Sequence, residues 1–242
     1  MLKKPINAQP VFSSKAYASP ELVPHPLGTE GEDWIGRRYR FVRAGATTLV
    51  VGNALQAPAQ LADHQARTPV AAAIGDRLID ISIGATAITA DDYAGGVAVI
   101  DTTPGLGYTY PIKQHLAASA SDTSFVVNLK EGWSIEVALT TTSRVSLYPN
   151  PHRGVIQTPV TTLTNTCVGV AVYPIVNAEY GWIGVNGVFG TLINVTPGVG
   201  LAVGPPAAVA GAVAINSGTN PIVGYMMDTG VDTLVQGVRW VL

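Results

Sequence analysis

The strongest local structural signal in this chain is the stretch Tyr180-Gly181-Trp182-Ile183-Gly184-Val185-Asn186-Gly187-Val188-Phe189-Gly190-Thr191-Leu192-Ile193. Two runs that contain aromatic and β-branched residues, which favour strands, lie on either side of Asn186-Gly187. The Asn-Gly pair tolerates the positive φ values that a two-residue type I′ turn requires. The stretch therefore predicts a β-hairpin whose strands are residues 180–185 and 188–193.

The same strand signal recurs outside this hairpin. Residues 78–83 alternate apolar and polar side chains, with Ile79, Ile81 and Ile83 on one face, as a half-buried strand requires. Further short strands are predicted at 39–42, 97–100, 108–112, 125–129, 135–139, 168–172, 211–215, 222–227 and 233–242. Short helices could lie at 55–66 and 85–94, although neither segment has a clear apolar stripe. The sequence therefore predicts an all-β fold of short antiparallel strands in sandwich-like or barrel-like domains.

The composition agrees with this fold class. Charged residues make up 12% of the 242 residues, whereas soluble proteins typically contain about 25%. The 26 glycines and 17 prolines are too many for a mostly helical fold. The formal net charge of −2 argues against nucleic-acid binding, because that function needs a basic surface.

The sequence predicts three regions. Residues 1–33 contain five prolines and predict an extended N-terminal arm, because each proline removes a backbone donor. The apolar side chains of this arm, Phe12, Tyr17 and Leu22, are expected to anchor it at an interface. A loose terminus is the alternative. Two β domains are expected after the arm, at residues 34–150 and 151–242.

The C-terminal part of the chain carries very little charge. Residues 155–242 contain four charged side chains, which are Glu179, Asp228, Asp232 and Arg239. A segment of this length with so few charges is either mostly core or is covered by another protein. We expect a covered surface, and therefore expect that the protein self-associates.

No sequence motif points to a catalytic chemistry. The Gly-x-Ser-x-Gly, His-Glu-x-x-His and P-loop patterns are absent, and these are the short motifs with a known mechanism. The four histidines are widely separated and Cys167 is the single cysteine. We therefore expect no enzyme activity, no cofactor, no metal and no internal disulfide. A secretory signal and an uninterrupted apolar span are not recognised, so we expect a soluble protein.

One basic cluster stands out near the start of the first predicted domain. Arg37, Arg38 and Arg40 lie close to the acidic residues of segment 30–33. Contact with nucleic acid is one alternative for this cluster. A solvated face, or an ionic contact with an acidic partner, fits the mixture of charges better. We expect these three arginines at an interface.

A set of motifs rich in glycine and turn residues runs through residues 34–242. Its members are Gly36-Arg37-Arg38-Tyr39-Arg40-Phe41-Val42, Thr48-Leu49-Val50-Val51-Gly52, Ala94-Gly95-Gly96, Gly105-Leu106-Gly107-Tyr108, Val168-Gly169-Val170-Ala171, Tyr180-Gly181-Trp182-Ile183, Gly211-Ala212-Val213 and Ile222-Val223-Gly224. In this pattern the chain resembles virion proteins of tailed bacteriophages of environmental bacteria. The resemblance implies a capsid decoration (cement) protein, which is β-rich, is not an enzyme and binds the outer face of an icosahedral shell.

The resemblance also implies partners and a location. The partners are the major capsid protein and further copies of the same chain, with a trimer favoured over a dimer. The location is the outer surface of the virion capsid, after synthesis in the host cytoplasm. Nucleic acid and membrane are not expected as partners.

A second function class fits the same fold. A host-binding or glycan-binding module, such as a head fibre or a lectin-like domain, would line its site with aromatic rings, for which Tyr173, Tyr180 and Trp182 are candidates. Tyr180 and Trp182 are also our interface candidates for capsid decoration. Packing in the core would explain these rings equally well. An enzyme of unknown type is a third alternative, for which the sequence supplies no catalytic residues.

Overall fold

A computed structural model describes residues 9–10, 25–218 and 220–242. The regular structure in these residues is entirely β-strand apart from one short 3-10 helix at Ala62–His64. The prediction of an all-β fold is therefore confirmed. The arm candidates Phe12, Tyr17 and Leu22 lie outside the described residues.

The strands follow each other along the chain with turns and irregular segments between them. In chain order they are β1 (Gln9–Pro10), β2 (Glu30–Glu32), β3 (Arg38–Ala44), β4 (Ala54–Gln56), β5 (Leu78–Ile81), β6 (Val97–Ile100), β7 (Thr109–His115), β8 (Phe125–Leu129), β9 (Val145–Tyr148), β10 (Arg153–Gln157), β11 (Cys167–Ala171), β12 (Tyr180–Leu192), β13 (Ala202–Gly204), β14 (Ala214–Ile215), β15 (Gly224–Met226) and β16 (Val235–Val241).

The chain divides into two compact units. The first contains the described residues before position 60 together with Pro151–Leu242, and the second is Gln60–Asn150. The division thus differs from the expected one, in which residues 34–150 form one domain. The reason is strand pairing, because β3 and β4 pair with strands that follow residue 150.

In the first unit, five strands pair in a closed circuit. The order is β3-β10-β4-β11-β12, and β12 pairs with β3 again. The β10–β3 pair is parallel, and the other four pairs are antiparallel. This closure satisfies strand edges that would otherwise be open. Fully buried side chains that include Phe41, Leu55, Val155, Val170 and Ile183 belong to the core of this unit.

The predicted hairpin at Asn186-Gly187 is wrong. β12 is one continuous strand of 13 residues that passes through both positions. Its first half pairs with β3 and its second half pairs with β16, and Asn186 lies opposite both Arg38 and Val241. Gly187 does adopt a positive φ of 117°, but the chain continues forward there. Each half of β12 finds a strand from a distant part of the sequence, and this pairing overrides the local turn preference.

Beyond the closed circuit, β12 continues into an open sheet with the order β12-β16-β15-β13-β14. One surface of this sheet packs into the core of the first unit, through side chains that include Phe189, Val203, Met226, Val238 and Trp240. Successive residues of a strand point to opposite faces. The intervening residues of these strands therefore form the other face of the sheet.

The second unit is built on a sheet with the order β5-β8-β7-β6-β9. Bridges from Arg67 to Val145 and from Pro69 to Ile81 connect the segment before β5 to both edge strands, which makes the sheet barrel-like. Ile79, Ile81 and Ile83 are all buried, so the predicted alternation at 78–83 is confirmed.

Three other local predictions fare differently in the second unit and at its boundary. The strand predicted at 135–139 is wrong: Ile135 and Leu139 are buried, but the backbone there makes isolated contacts rather than a ladder. Of the possible helix at 55–66, only the short 3-10 helix forms, and the start of this segment belongs to β4. Residues 85–94 contain turns and no helix.

Candidate interaction surface

The open sheet of the first unit presents one exposed, weakly charged face. On β12 and β16 the residues Val188, Val235 and Val241 are each exposed by about half, at 43%, 52% and 42%. Their neighbours Phe189 and Trp240 point to the opposite side and are buried. This alternation is the period-2 pattern of strands whose two faces have different environments.

Strand register extends this face across four strands. Val188 lies opposite Arg239, Arg239 lies opposite Tyr225, and Tyr225 lies opposite Ala202. Residues directly opposite each other in paired strands share a face and are in side-chain contact distance. The row therefore crosses from β12 through β16 and β15 to β13 as one continuous surface.

The face also continues toward β3. Asn186 lies opposite Val241 on one side and opposite Arg38 on the other. At the other end, the amide N–H of Met227 donates to the carbonyl of Gly237 at 3.0 Å, and Met227 is half exposed. We define the exposed sheet face by its residues, which are Arg38, Asn186, Val188, Tyr225, Met227, Val235, Arg239 and Val241.

Charge on this face is sparse. Arg38 and Arg239 are exposed on it, and Glu32, directly opposite Arg38 in the β2–β3 pair, lies on the same face at its edge. Within the described residues, neither arginine has an ion pair or a side-chain hydrogen bond. Exposed arginines beside aliphatic and tyrosine side chains are typical of interface composition.

The other two predicted interface arginines, Arg37 and Arg40, form ion pairs within the chain. Arg37 Nε donates to Asp33 Oδ2 at 2.7 Å. Arg40 Nη2 lies 2.6 Å from Glu30 Oε1, and Arg40 Nη1 donates to the Gly28 carbonyl at 2.9 Å. Of the three predicted arginines, Arg38 is the one without an ion pair to any described residue.

Trp182 is not a surface residue. Its side chain is 3% exposed, and its ring centre lies 5.1 Å from that of Phe41 in an edge-to-face arrangement. Its backbone N–H donates to the Tyr173 hydroxyl at 2.7 Å, and Tyr173 is also buried. Tyr180 is half-buried, and the Arg43 guanidinium lies 5.9 Å from its ring centre. The three aromatic residues therefore do not form a surface cluster, and core packing accounts for Trp182.

A cavity of about 300 Å³ lies in the first unit, lined by residues that include Arg38, Tyr39, Arg40, His152 and Cys167. Burial raises the pKa of the Cys167 thiol to about 12. Burial, and then the charge of Arg40, lowers the pKa of His152 to about 4. Both groups are therefore uncharged at neutral pH. A nucleophilic cysteine needs a lowered pKa, so these shifts do not support thiolate chemistry here.

Across the described ranges, no group of three or more His, Cys, Asp or Glu side chains is placed to hold a metal ion. The same part of the chain has no helix with the length and hydrophobicity needed to cross a bilayer.

Comparison of the chain with protein-family models, with curated proteins and with solved structures finds no match.

Sequence reasoning missed most of the residues of the exposed sheet face. The alternation in 233–242 is visible in the sequence, and it places Val235, Gly237, Arg239 and Val241 on one side. It does not indicate which side faces the core. That assignment needs the register with β12 and β15, which connects residues far apart in the chain.

Proposed function

We propose that this protein is a capsid decoration (cement) protein, which binds the outer face of a phage capsid through the exposed sheet face and stabilises the shell. The observation that carries the proposal is the continuous four-strand surface around Val188, Tyr225 and Arg239. The motif resemblance supports the same function. The location on the virion and the major capsid protein as partner belong to this proposal.

The physical properties of this face suit attachment to a repeating protein shell. Hydrogen-bonded strands are rigid, so little conformational entropy is lost when they bind. Each half-exposed valine or methionine that becomes buried contributes roughly 1 kcal/mol, which makes one contact weak. A shell repeats its binding site many times, and joined subunits then bind far more tightly than one subunit alone.

The two arginines bear on what covers this face. If the same face of a second copy stacked on it about a two-fold axis through the central row, Arg239 would approach its own symmetry mate. Like charges in a buried contact are unfavourable. A partner with a different surface therefore fits the face better than a second copy does.

Self-association remains part of the proposal, with a trimer favoured over a dimer. It is supported by the small number of charges in residues 155–242, and a contact between two different surfaces forms a closed ring when the rotation between copies closes. The alternative of a host-binding or glycan-binding module has less support, because Tyr173 and Trp182 are buried.

The test is co-sedimentation with capsids of the encoding phage that were prepared without this protein. Val188→Lys places a charge in the middle of the exposed sheet face and should weaken binding by roughly tenfold or more. Val126→Lys is a matched control, because Val126 is a strand residue of the second unit that is 37% exposed. The control should bind like the wild type. Absence of wild-type binding would show that the proposed function is wrong.

A further inference from the structure

The hairpin that joins β2 to β3 ends in an apolar tip. Its two central residues are Trp34, which is 93% exposed, and Ile35, which is 55% exposed. The Gly36 N–H donates to the Asp33 carbonyl at 3.1 Å, and the Asp33 N–H donates to the Arg37 carbonyl at 3.1 Å. These bonds define a tight turn at the end of the paired strands.

The carboxylate of Asp33 stabilises this turn by accepting hydrogen bonds from other residues of the hairpin. Its Oδ1 accepts hydrogen bonds from the backbone N–H of Ile35 at 3.1 Å and of Arg37 at 2.9 Å. Its Oδ2 accepts from Arg37 Nε at 2.7 Å and from the Tyr39 hydroxyl at 3.0 Å. These four hydrogen bonds to one carboxylate fix the backbone conformation at Trp34, so the tip is ordered before it binds a partner.

Turn chemistry does not explain the residue types at the tip. Neither Trp34 nor Ile35 has a positive φ, and central turn positions with negative φ accept most residue types. The turn therefore does not require these two large apolar side chains. They do supply a large apolar area on a fixed support, and tryptophan is enriched among the residues that dominate binding energy at protein interfaces.

We propose that Trp34 and Ile35 are the anchor of the capsid contact and insert into an apolar pocket of the bound capsid protein, an inference that rests on the proposed function. Continuity with the exposed sheet face supports this occupant. Arg38, three residues beyond Ile35 on the same hairpin, belongs to that face through its register with Asn186. A protein that covers the exposed sheet face therefore reaches the base of the tip.

The charged residues at the base of the tip indicate which groups should surround the pocket on the capsid protein. Asp33 and Glu30 form ion pairs with Arg37 and Arg40, and Glu32 lies directly opposite Arg38 in the β2–β3 pair. Arg38 has no ion pair with any described residue. The tip therefore matches an apolar pocket, and Arg38 and Glu32 at its base match polar or charged groups at the edge of that pocket.

The experiment measures binding of three variants to capsids prepared without this protein. Trp34→Ser and Ile35→Ser should each retain the wild-type melting temperature, because neither side chain packs in a core. Trp34→Ser should weaken binding by roughly 30-fold or more. Trp133→Ser is the matched control, because Trp133 is a partly exposed turn residue of the second unit. It should bind like the wild type.

A second measurement follows Trp34 directly. In a Trp133→Phe background, Trp34 is the exposed tryptophan of the chain, since Trp182 and Trp240 are buried. Acrylamide should quench its fluorescence strongly in the free protein and weakly in the capsid complex. Unchanged quenching in a complex that does form would contradict insertion.

The other possible occupants give different results. If Trp34→Ser binds capsids like the wild type, Trp34 is not the anchor of the capsid contact, while the proposed function stands. If Trp34→Ser changes the oligomeric state in sedimentation velocity and leaves capsid affinity unchanged, the tip contacts a second copy. If the wild type binds vesicles of phosphatidylcholine and phosphatidylglycerol through Trp34, it contacts lipid. Either result overturns the inference. If the wild type does not bind capsids, the proposed function fails together with it.

Discussion

The guanidinium carbon of Arg37 lies 5.2 Å from the centre of the Phe189 ring. This contact joins the hairpin that carries Trp34 to the second half of β12. Gly187 makes the approach possible, because a Cβ atom at that position would lie 2.7 Å from Cγ of Arg37. The glycine that predicts a hairpin turn in the sequence therefore serves as the site of close packing between two distant segments.

Substitution of Gly187 by alanine should lower the free energy of unfolding by about 2 kcal/mol or more, since it adds backbone strain and a steric clash. Urea denaturation measures this loss. Gly36→Ala is the control, because Gly36 also has a positive φ, of 84°, but a Cβ atom there would meet no neighbouring group within 4 Å. The control should lose only about 1 kcal/mol. Equal losses at the two positions would contradict the packing role of Arg37.

Substitution of Asp33 by alanine should destabilise the first unit by about 1–3 kcal/mol, because it removes the acceptor of four hydrogen bonds. Amide hydrogen exchange of Ile35 and Arg37 measures the local opening that follows. Asp33→Asn should have an intermediate effect, since the amide oxygen can still accept from the backbone N–H groups. Exchange rates that stay at their wild-type values in Asp33→Ala would show that the turn does not depend on this carboxylate.

The Asp33 contacts also carry a pH dependence. Burial raises the pKa of Asp33, but hydrogen bonds from Arg37 and Tyr39 outweigh burial and lower it below its ordinary value. Because the pKa of Asp33 is lower in the folded protein, its carboxylate contributes fully to the free energy of unfolding above its ordinary pKa near 4. This contribution is lost as the pH falls further.

His152 should make stability fall in weak acid. Its pKa is lowered from 6.5 to about 4 in the folded protein, so the unfolded chain binds the proton first. The neutral His152 side chain therefore contributes fully to the free energy of unfolding above about pH 6.5, and this contribution is lost as the pH falls toward 4. After allowance for partial exposure, the loss should be roughly 1–3 kcal/mol. Urea denaturation at a series of pH values from about 4.5 to about 7.5 measures the slope for the wild type and for His152→Leu.

The variant is the control for other titrating groups. The free energy of unfolding of the wild type, minus that of His152→Leu, should decrease with falling pH, because only the wild type carries the histidine. A constant difference across the range would contradict the shift that burial causes at this position.

Tyr93 should be a key hydrogen-bonding residue of the second unit. His64 Nε2 faces the Thr86 carbonyl at 2.9 Å and must donate there, so its Nδ1 accepts from the Tyr93 hydroxyl at 2.6 Å. Tyr93→Phe leaves this buried nitrogen without its donor and should lower the free energy of unfolding by about 1–3 kcal/mol. Thermal denaturation measures the change, and nitrogen chemical shifts of His64 report its tautomer.

Tyr108→Phe is the matched control for this substitution. Tyr108 stacks on Tyr110 at 6.2 Å but is 37% exposed, so water can replace any partner of its hydroxyl. The control should change stability by less than about 0.5 kcal/mol. A loss at Tyr93 no larger than the loss at Tyr108 would show that the His64 contact does not stabilise the fold.

Local alternation was enough to predict several strands and their buried faces. Ile79, Ile81 and Ile83 lie in the core of the second unit, and so do Phe125 and Val127. Period-2 patterns work here because one face of each strand is covered and the other is not, so each side chain reports its own environment.

Local signals failed where distant segments decide the pairing. Asn186-Gly187 has the composition of a hairpin turn, yet each half of β12 pairs with a different strand. Ile135 and Leu139 alternate and are buried, but no described strand lies beside them to form a ladder. A strand needs a partner, and the partner is not encoded in the same few residues.

The candidate site depended still more on tertiary contacts. The sequence indicated that Arg37, Arg38 and Arg40 lie among acidic residues. Only the structure showed that two of them are bound to Asp33 and Glu30. Likewise, no sequence pattern separates the buried Trp182 from the exposed Trp34, since both are aromatic residues within β-rich segments.

By itself the sequence determined the β class, through its alternating strands and its many glycines and prolines, and it determined that the C-terminal part has few charges. Tertiary structure alone decided which faces are covered and which residues meet. The physical reason is that alternation divides a strand into two faces without ranking them. The free energy of burial then selects one face, and that choice depends on strands such as β12 and β16 coming together in one register.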